Sequence, residues 1–309
     1  MRILVLGFTG FLGGHVAEHL RTLTGVRVLG AGRSPAAEFG IDLATAPRER
    51  LTAALAAAEP DAVINCAGAT GGDAVTLAEV NSRGPAALCA ALREAAPTAR
   101  LVHLGSAAEY GPGVPDTTTT ESAATRPLTP YGATKLAGTV TVTTSGLDAV
   151  VLRVGNPVGP GAPSTGLPGR IAGLLREAGP DPDAVVRLGN LSAYRDFVDV
   201  RDVARAAAAA ATASGQLPRV LNIGGGKAVP VRDLVYGLAR VAGFRGRIEE
   251  NGGGSARSGD VSWQCSDITA AGEALGWRPE LTLDDSLTAL WTAVAGTGPA
   301  PRAGGDRTP

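Results

Sequence analysis

Short, nearly continuous apolar runs recur along the chain at Ile3–Leu6, Val26–Ala31, Ala62–Cys66, Leu101–Leu104, Ala149–Val154 and Val220–Ile223. Runs this short and this apolar suit strands covered on both faces, as in a parallel sheet. Between them, Leu12–Thr22, Arg48–Ala58, Val75–Ala95 and Tyr131–Thr144 carry helical periodicity. Alternation of strand and helix predicts an α/β fold: a Rossmann-type doubly wound parallel sheet joined by right-handed crossovers.

The rhythm changes after Val154. Gly155–Gly169 is rich in Gly and Pro, and Asp181-Pro182-Asp183 marks another turn. A helix is expected from near Val200 through the run Ala206–Ala211, before the strand at Val220–Ile223. Residues 1–154 and 196–224 are therefore assigned to the sheet domain. Residues 155–195 and 225–295 are assigned to a smaller, discontinuous C-terminal substrate lobe. The segment 296–309 lacks periodicity and is expected to be a disordered tail, and Asn251–Ser255 (NGGGS) a mobile loop.

Composition narrows the classes. The chain has 309 residues, 44 % hydrophobic and 18 % charged, with a net charge of −1. That balance argues against disorder, and it gives no footprint for nucleic acid or an anionic membrane as partner. No apolar stretch approaches the roughly 20 residues that span a bilayer, and the N-terminus lacks a signal-peptide cleavage pattern. Cys66, Cys89 and Cys265 are odd in number and contain no C-x-x-C; they suit a reducing cytoplasm and no metal site. Arginine is favoured throughout, and Lys135 and Lys227 are the sole lysines.

Candidate chemistry begins at the first strand. Gly7, Gly10 and Gly13 follow it at once and open a helix, with Thr9, Phe11 and Leu12 between them. Strand, glycine turn and helix in that order predict a dinucleotide site, the pyrophosphate lying on the helix N-terminus. At the end of the second strand, where an NAD enzyme places a carboxylate, stand Arg33 and Ser34. A guanidinium fork fits a 2′-phosphate, so NADP(H) is expected in preference to NAD(H). Asp42 and Leu43 suit the adenine edge, and Asn65-Cys66-Ala67-Gly68 the adenosine ribose. His15, on the first helix, is assigned no chemistry.

Tyr131 and Lys135 are four apart on a predicted helix and share a face. A free phenol ionises near 10, and an adjacent ammonium favours its phenolate, drawing it toward the working range. Ser106 ends the fifth strand, where its hydroxyl can hold a substrate oxygen while Tyr131 exchanges the proton. Asn81 is a candidate to support the helix or a water chain.

In this order the motifs GFTGFLGG, INCAGAT, VNSRGPAAL, LGSAAEYG, TPYGATK, RVGNPVGPG, RDFVDVRDVARA and LNIGGG resemble the extended short-chain dehydrogenases, the nucleotide-sugar epimerase/dehydratase/reductase family, over about residues 1–295. The stretches around Leu188–Ala206 and Ser266–Trp291 look most like GDP-4-keto-6-deoxymannose reductases. The resemblance implies that Arg195, Arg257 and Asp260 clamp a nucleotide diphosphate and ribose, and that Asn156 lies beside the nicotinamide and substrate phosphate. It also implies a homodimer as one assembly.

Sugar dehydratases of that family carry acid/base residues just after the Ser106 position. Here Ala107 and Ala108 stand there, and continued strand alternation turns Glu109 elsewhere. Elimination needs a base and an acid that alanine cannot be. The expected reaction is NADPH-dependent reduction of a keto group, at C4, of a nucleotide-linked deoxysugar. A 4-epimerase, a ketoreductase of a small natural-product ketone and a non-catalytic NADP-sensing protein are the alternatives.

Overall fold

The computed structural model describes residues 1–250 and 261–296. Its strands are β1 (Arg2–Leu6), β2 (Arg27–Gly32), β3 (Phe39–Gly40), β4 (Ala62–Asn65), β5 (Arg100–Ser106), β6 (Ala149–Val154), β7 (Asn156–Val158), β8 (Val185–Leu188), β9 (Tyr194–Asp199), β10 (Val220–Ile223), β11 (Ala228–Pro230) and β12 (Arg247–Glu250). The helices are α1 (Phe11–Arg21), α2 (Arg48–Ala58), α3 (Ala74–Ala78), α4 (Gly84–Ala95), α5 (Pro130–Thr143), α6 (Leu167–Ala178), α7 (Val200–Thr212), α8 (Val231–Val241), α9 (Thr269–Leu275) and α10 (Leu283–Gly296).

Seven strands form a parallel sheet in the order β10-β6-β5-β4-β1-β2-β3. The apolar runs become its buried strands because both faces are covered. On one face, α1 and α7 pack Val16, Leu20, Val203, Ala206, Ala207, Ala208, Ala210 and Ala211 against Ile3, Val5 and Leu152. On the other, α2, α4 and α5 pack Leu51, Leu55, Leu88, Leu92 and Val142 against Leu4, Val63 and Leu101. Small alanine side chains let α7 lie close to the sheet.

The order in which strands are added reverses between β1 and β4, which opens a crevice beyond their carboxyl ends. A second lobe built on β7, β9 and β11 and on α6, α8 and α10 has its own core, including Ile171, Leu175, Leu234, Leu238 and Leu287. Ala271 on α9 and Trp277 pack instead on the α7 face of the large sheet. Among the described residues no helix is long and apolar enough to cross a membrane.

The continuous helix expected over Val75–Ala95 is broken. A π-helical turn, Glu79–Arg83, separates α3 from α4. Pro85, in the first turn of α4, has no N–H to continue the α-helical ladder.

Candidate active site

Gly7 leaves β1 at φ +73°, a conformation glycine adopts without strain; a Cβ there would sit 2.8 Å from the Ala67 nitrogen. A Cβ on Gly13 would lie 2.1 Å from the Gly7 carbonyl, so the loop folds back tightly on α1. Gly10 caps α1 without a side-chain acceptor, and no acidic residue lies in the first turn. The leading N–H groups of α1 thus face the crevice mouth uncapped and suit an anion. Thr9 and Gly10 are exposed there, and Phe11 and Leu12 are half-buried. Phe11 meets His15 edge-on at 6.0 Å between ring centroids, while Leu12 leans on the sheet core. His15 Nε2 lies 2.9 Å from the Pro160 carbonyl and links α1 to the glycine-rich loop after β7.

Arg33 follows β2 directly and is exposed. Ser34 Oγ accepts from the Ala36 N–H (3.2 Å), and Asp42 Oδ1 from the Ala44 N–H (3.1 Å). Leu43 is buried rather than displayed, packed where Gly84 leaves room.

The turn after β4 brings Cys66, Ala67 and Gly68 to the crevice, but Asn65 points inward. Asn65 is wholly buried, accepts from the Ala67 N–H (3.1 Å) and lies 3.1 Å from His103 Nδ1. Asn81, in the π-turn, is also buried. Its amide receives the Ala69 N–H and donates to the Ala69 carbonyl and Thr134 Oγ1. It therefore braces the Cys66–Ala69 turn against α5.

Thr129 caps α5 by accepting the Gly132 N–H, and Pro130 fills the first helical position. Tyr131 sits half-buried in the first turn, with Lys135 buried one turn on. The Lys135 ammonium donates to the Leu104 carbonyl of β5 and lies 3.9 Å from where a Gly68 Cβ would be. Two glycines allow this close approach. A Cβ on Gly132 would stand 2.6 Å from the Ala108 carbonyl, and one on Gly138 2.3 Å from the Asn81 carbonyl.

Burial draws the Lys135 ammonium below its ordinary value, while the charge of Glu109 and the Cys66 thiol act against that shift. Burial pushes the Cys66 thiol up to about 12, with Lys135 opposing. His103, behind Lys135 on β5, is held neutral well below the usual imidazole value by burial and by that ammonium.

At the end of β5 the expected strand alternation fails. Ser106 closes the strand, and Ala107–Glu109 turn into a 3₁₀ helix. Glu109 folds back beneath Ser106, wholly buried. Its Oε1 accepts the Ser106 N–H at 2.8 Å, and its Oε2 accepts Arg153 Nε at 2.7 Å. Ala107 is buried and Ala108 half-buried beside Ser106. The sequence Ser106-x-x-Glu109 is itself the signature of a capping box, a signal that pattern alternation overlooked.

On the substrate side, β7 and β9 pair in parallel, Asn156 opposite Phe197. Asn156 Nδ2 donates to the Asp196 carbonyl (3.3 Å). Arg195 is buried, and among the described residues its guanidinium reaches only the carbonyls of Tyr194 and Val261, both at 2.8 Å. Burial lowers its pKa, and no carboxylate pairs with it among the described residues. Arg257 and Asp260 lie outside the described residues.

Residues 3–224 match the model of the NAD dependent epimerase/dehydratase family. The chain belongs to that family. It is 36 % identical over 306 residues to dTDP-6-deoxy-L-talose 4-dehydrogenase (NAD(P)(+)) of Kitasatospora kifunensis, covering 94 % of this chain and 95 % of that relative. Among solved structures it resembles UDP-glucose 4-epimerase of Thermus thermophilus in complex with NAD (26 % identical, TM-score 0.82, covering 96 % of this chain and 100 % of that one). It equally resembles RMD from Pseudomonas aeruginosa complexed with NADPH (25 % identical, TM-score 0.82, covering 96 % and 99 %). Family membership makes the chain an NAD(P)-dependent enzyme, in keeping with the uncapped α1 terminus and with Lys135 buried at the same crevice.

Proposed function

We propose that the protein catalyses NADPH-dependent reduction of the C4 keto group of a nucleotide-linked 6-deoxysugar. The observation that carries this is the poverty of acid/base groups around Ser106. Ala107 and Ala108 cannot move protons, and Glu109 is locked under the strand by Arg153. Elimination, which needs two more proton carriers, has no residues there to perform it; hydride and single-proton exchange needs only Tyr131. The full-length likeness to a deoxysugar 4-dehydrogenase supports the same position on the sugar.

NADPH would lie with its pyrophosphate on the α1 terminus and its 2′-phosphate at Arg33, and it supplies a hydride. The residues do the rest. Ser106 orients the carbonyl oxygen, Tyr131 gives that oxygen its proton, and Lys135 holds the phenol's charge balance. Asn156 and Arg195 receive the nucleotide diphosphate, the guanidinium supplying the fork.

Loss of 340 nm absorbance with a panel of GDP- and dTDP-4-keto-6-deoxysugars tests this directly. Turnover is expected with the wild type and a fall of about 10²–10⁴-fold in Tyr131→Phe, with NADPH affinity retained. Interconversion of 4-epimers without net NADPH loss would mark an epimerase instead, and inert protein that binds NADPH a sensor. Arg33→Asp should weaken NADPH more than NADH; equal losses would overturn the cofactor preference.

A further inference from the structure

We propose that Glu109, locked by Arg153, is a positioning residue that aims the Ser106 hydroxyl at the substrate oxygen and balances the charge of Lys135. This rests on ketoreduction at Ser106 and Tyr131, and it extends to residues that touch neither cofactor nor substrate.

Three contacts carry it. Glu109 Oε1 accepts the Ser106 N–H, which fixes the backbone at the last residue of β5. The Ala108 N–H then donates to Ser106 Oγ at 3.2 Å. That occupies a lone pair and leaves the hydroxyl proton for an acceptor in the crevice. Glu109 Oε2 takes Arg153 Nε, and both side chains are almost wholly shielded from water. Gly105 makes the space, since a Cβ there would stand 2.7 Å from Oε1. A buried ion pair is weak evidence for stability, because desolvation offsets its attraction. A positional role gives it a reason.

The pair is also anchored from behind. The Arg153 guanidinium lies 4.5 Å from the Tyr110 ring centroid. Tyr110 donates its hydroxyl to Asn222 Oδ1 (2.7 Å), and Asn222 donates to the Thr119 and Asp267 carbonyls and, from its backbone, to Glu121. Ser106 is thereby tied through a chain of side chains (Glu109, Arg153, Tyr110 and Asn222) to the loop that precedes α9.

The Lys135 ammonium donates to the Leu104 carbonyl, and Glu109 accepts the Ser106 N–H two residues further along β5. The titratable groups that act on Lys135 are Glu109 after β5, His103 within β5 and Cys66 after β4. His103 is held neutral and the Cys66 thiol protonated, so Glu109 is the anion that acts on Lys135 at neutral pH among these groups.

With two lysines in the chain, Lys227→Arg leaves Lys135 alone to be followed by NMR of ¹³Cε-labelled lysine, without any substrate. In that background Glu109→Gln is expected to move the Lys135 titration down by about one pH unit. Arg153→Gln, which leaves the carboxylate unbalanced, should move it up, and Arg153→Lys should leave it near the parent. Turnover in Glu109→Gln should fall at least about 10-fold, with NADPH affinity within about twofold. A merely structural pair would lower stability without moving the titration in opposite senses. Unchanged titration and turnover in Glu109→Gln, or shifts of the same sign in both variants, would overturn the proposal. Failure of the wild type to reduce any keto sugar would strike the assigned reaction and leave the titration result standing.

Discussion

At single residues, the chemistry of this protein shows where a charge is kept without the partner that would make it comfortable. Among the described residues Arg195 is the clearest case, a buried guanidinium bonded only to backbone carbonyls. Desolvation of such a group opposes folding, and the diphosphate of the proposed substrate would supply the opposing charge. Arg195→Met should leave the substrate-free protein within about 1 kcal/mol of the wild type in urea unfolding, since lost carbonyl bonds and relieved desolvation oppose each other. The KM for the nucleotide sugar should rise about 10–100-fold, the worth of one charged hydrogen-bonding group. A marked loss of stability with an unchanged KM would make Arg195 structural. Tyr131 and Lys135 could be singled out in the sequence by their spacing and by the scarcity of lysine, and Arg195 only through the family resemblance of its motif. Glu109 could not be placed by alternation, since the strand stops at Ser106 and a capping turn reverses its side chain.

At the scale of elements, α5 is the part that must be built closely. Its glycines let the helix press on the Ala108 and Asn81 carbonyls, and so bring Tyr131 and Lys135 within reach of β5. Gly132→Ala should therefore act on catalysis rather than on the helix. Alanine is the better helix former by about 1 kcal/mol, but its Cβ would force α5 away from a backbone oxygen. Turnover is expected to drop about 10–100-fold, because misplacing catalytic groups by about 1 Å costs that much. In α6, Gly173 meets nothing within 4 Å, so Gly173→Ala should leave turnover unchanged. Equal turnover in both variants would refute the steric account. The helical signal of α5 was plain in the sequence, whereas the interruption after α3 was not. Residues 75–95 keep a helical rhythm through the π-turn, and only Pro85 hints at the break. That turn is what delivers Asn81 to the Cys66–Ala69 loop, so the missed irregularity shapes the candidate site.

Across the whole molecule, the large sheet was legible because its strands are buried on both faces and read as apolar runs. A second lobe was expected from the change of rhythm after Val154, but its strands were not, because β7, β8, β11 and β12 are three or four residues long and take partners far off in sequence. What joins the lobes is a set of acids in RDFVDVRD. Asp196 accepts the N–H groups of Gly225, Gly226 and Ser266, and Asp202 those of Glu280 and Leu281. Asp199 caps α7, accepts Arg201, and takes the Ser286 hydroxyl of α10 at 2.7 Å. Burial alone would raise the Asp199 carboxyl, but hydrogen bonds from Arg201 and Ser286 and the Arg201 charge outweigh it and hold the group below its ordinary value. A carboxyl depressed on folding adds stability above its unfolded value of about 3.9, and that contribution is lost as pH falls through the lower folded value. An asparagine in its place would keep a good helix cap but carries no charge, so Asp199→Asn should cost about 1–2 kcal/mol at pH 7, Arg201 being partly screened by water. The gap between wild type and variant should then close below about pH 4. Asp196, raised by its burial, titrates in the opposite sense, but it is present in both proteins and cancels in the difference. Urea unfolding of the pair across the range from neutral to acid measures the gap. A difference that stays constant or widens toward acid would show that Asp199 joins the lobes by shape and not by charge.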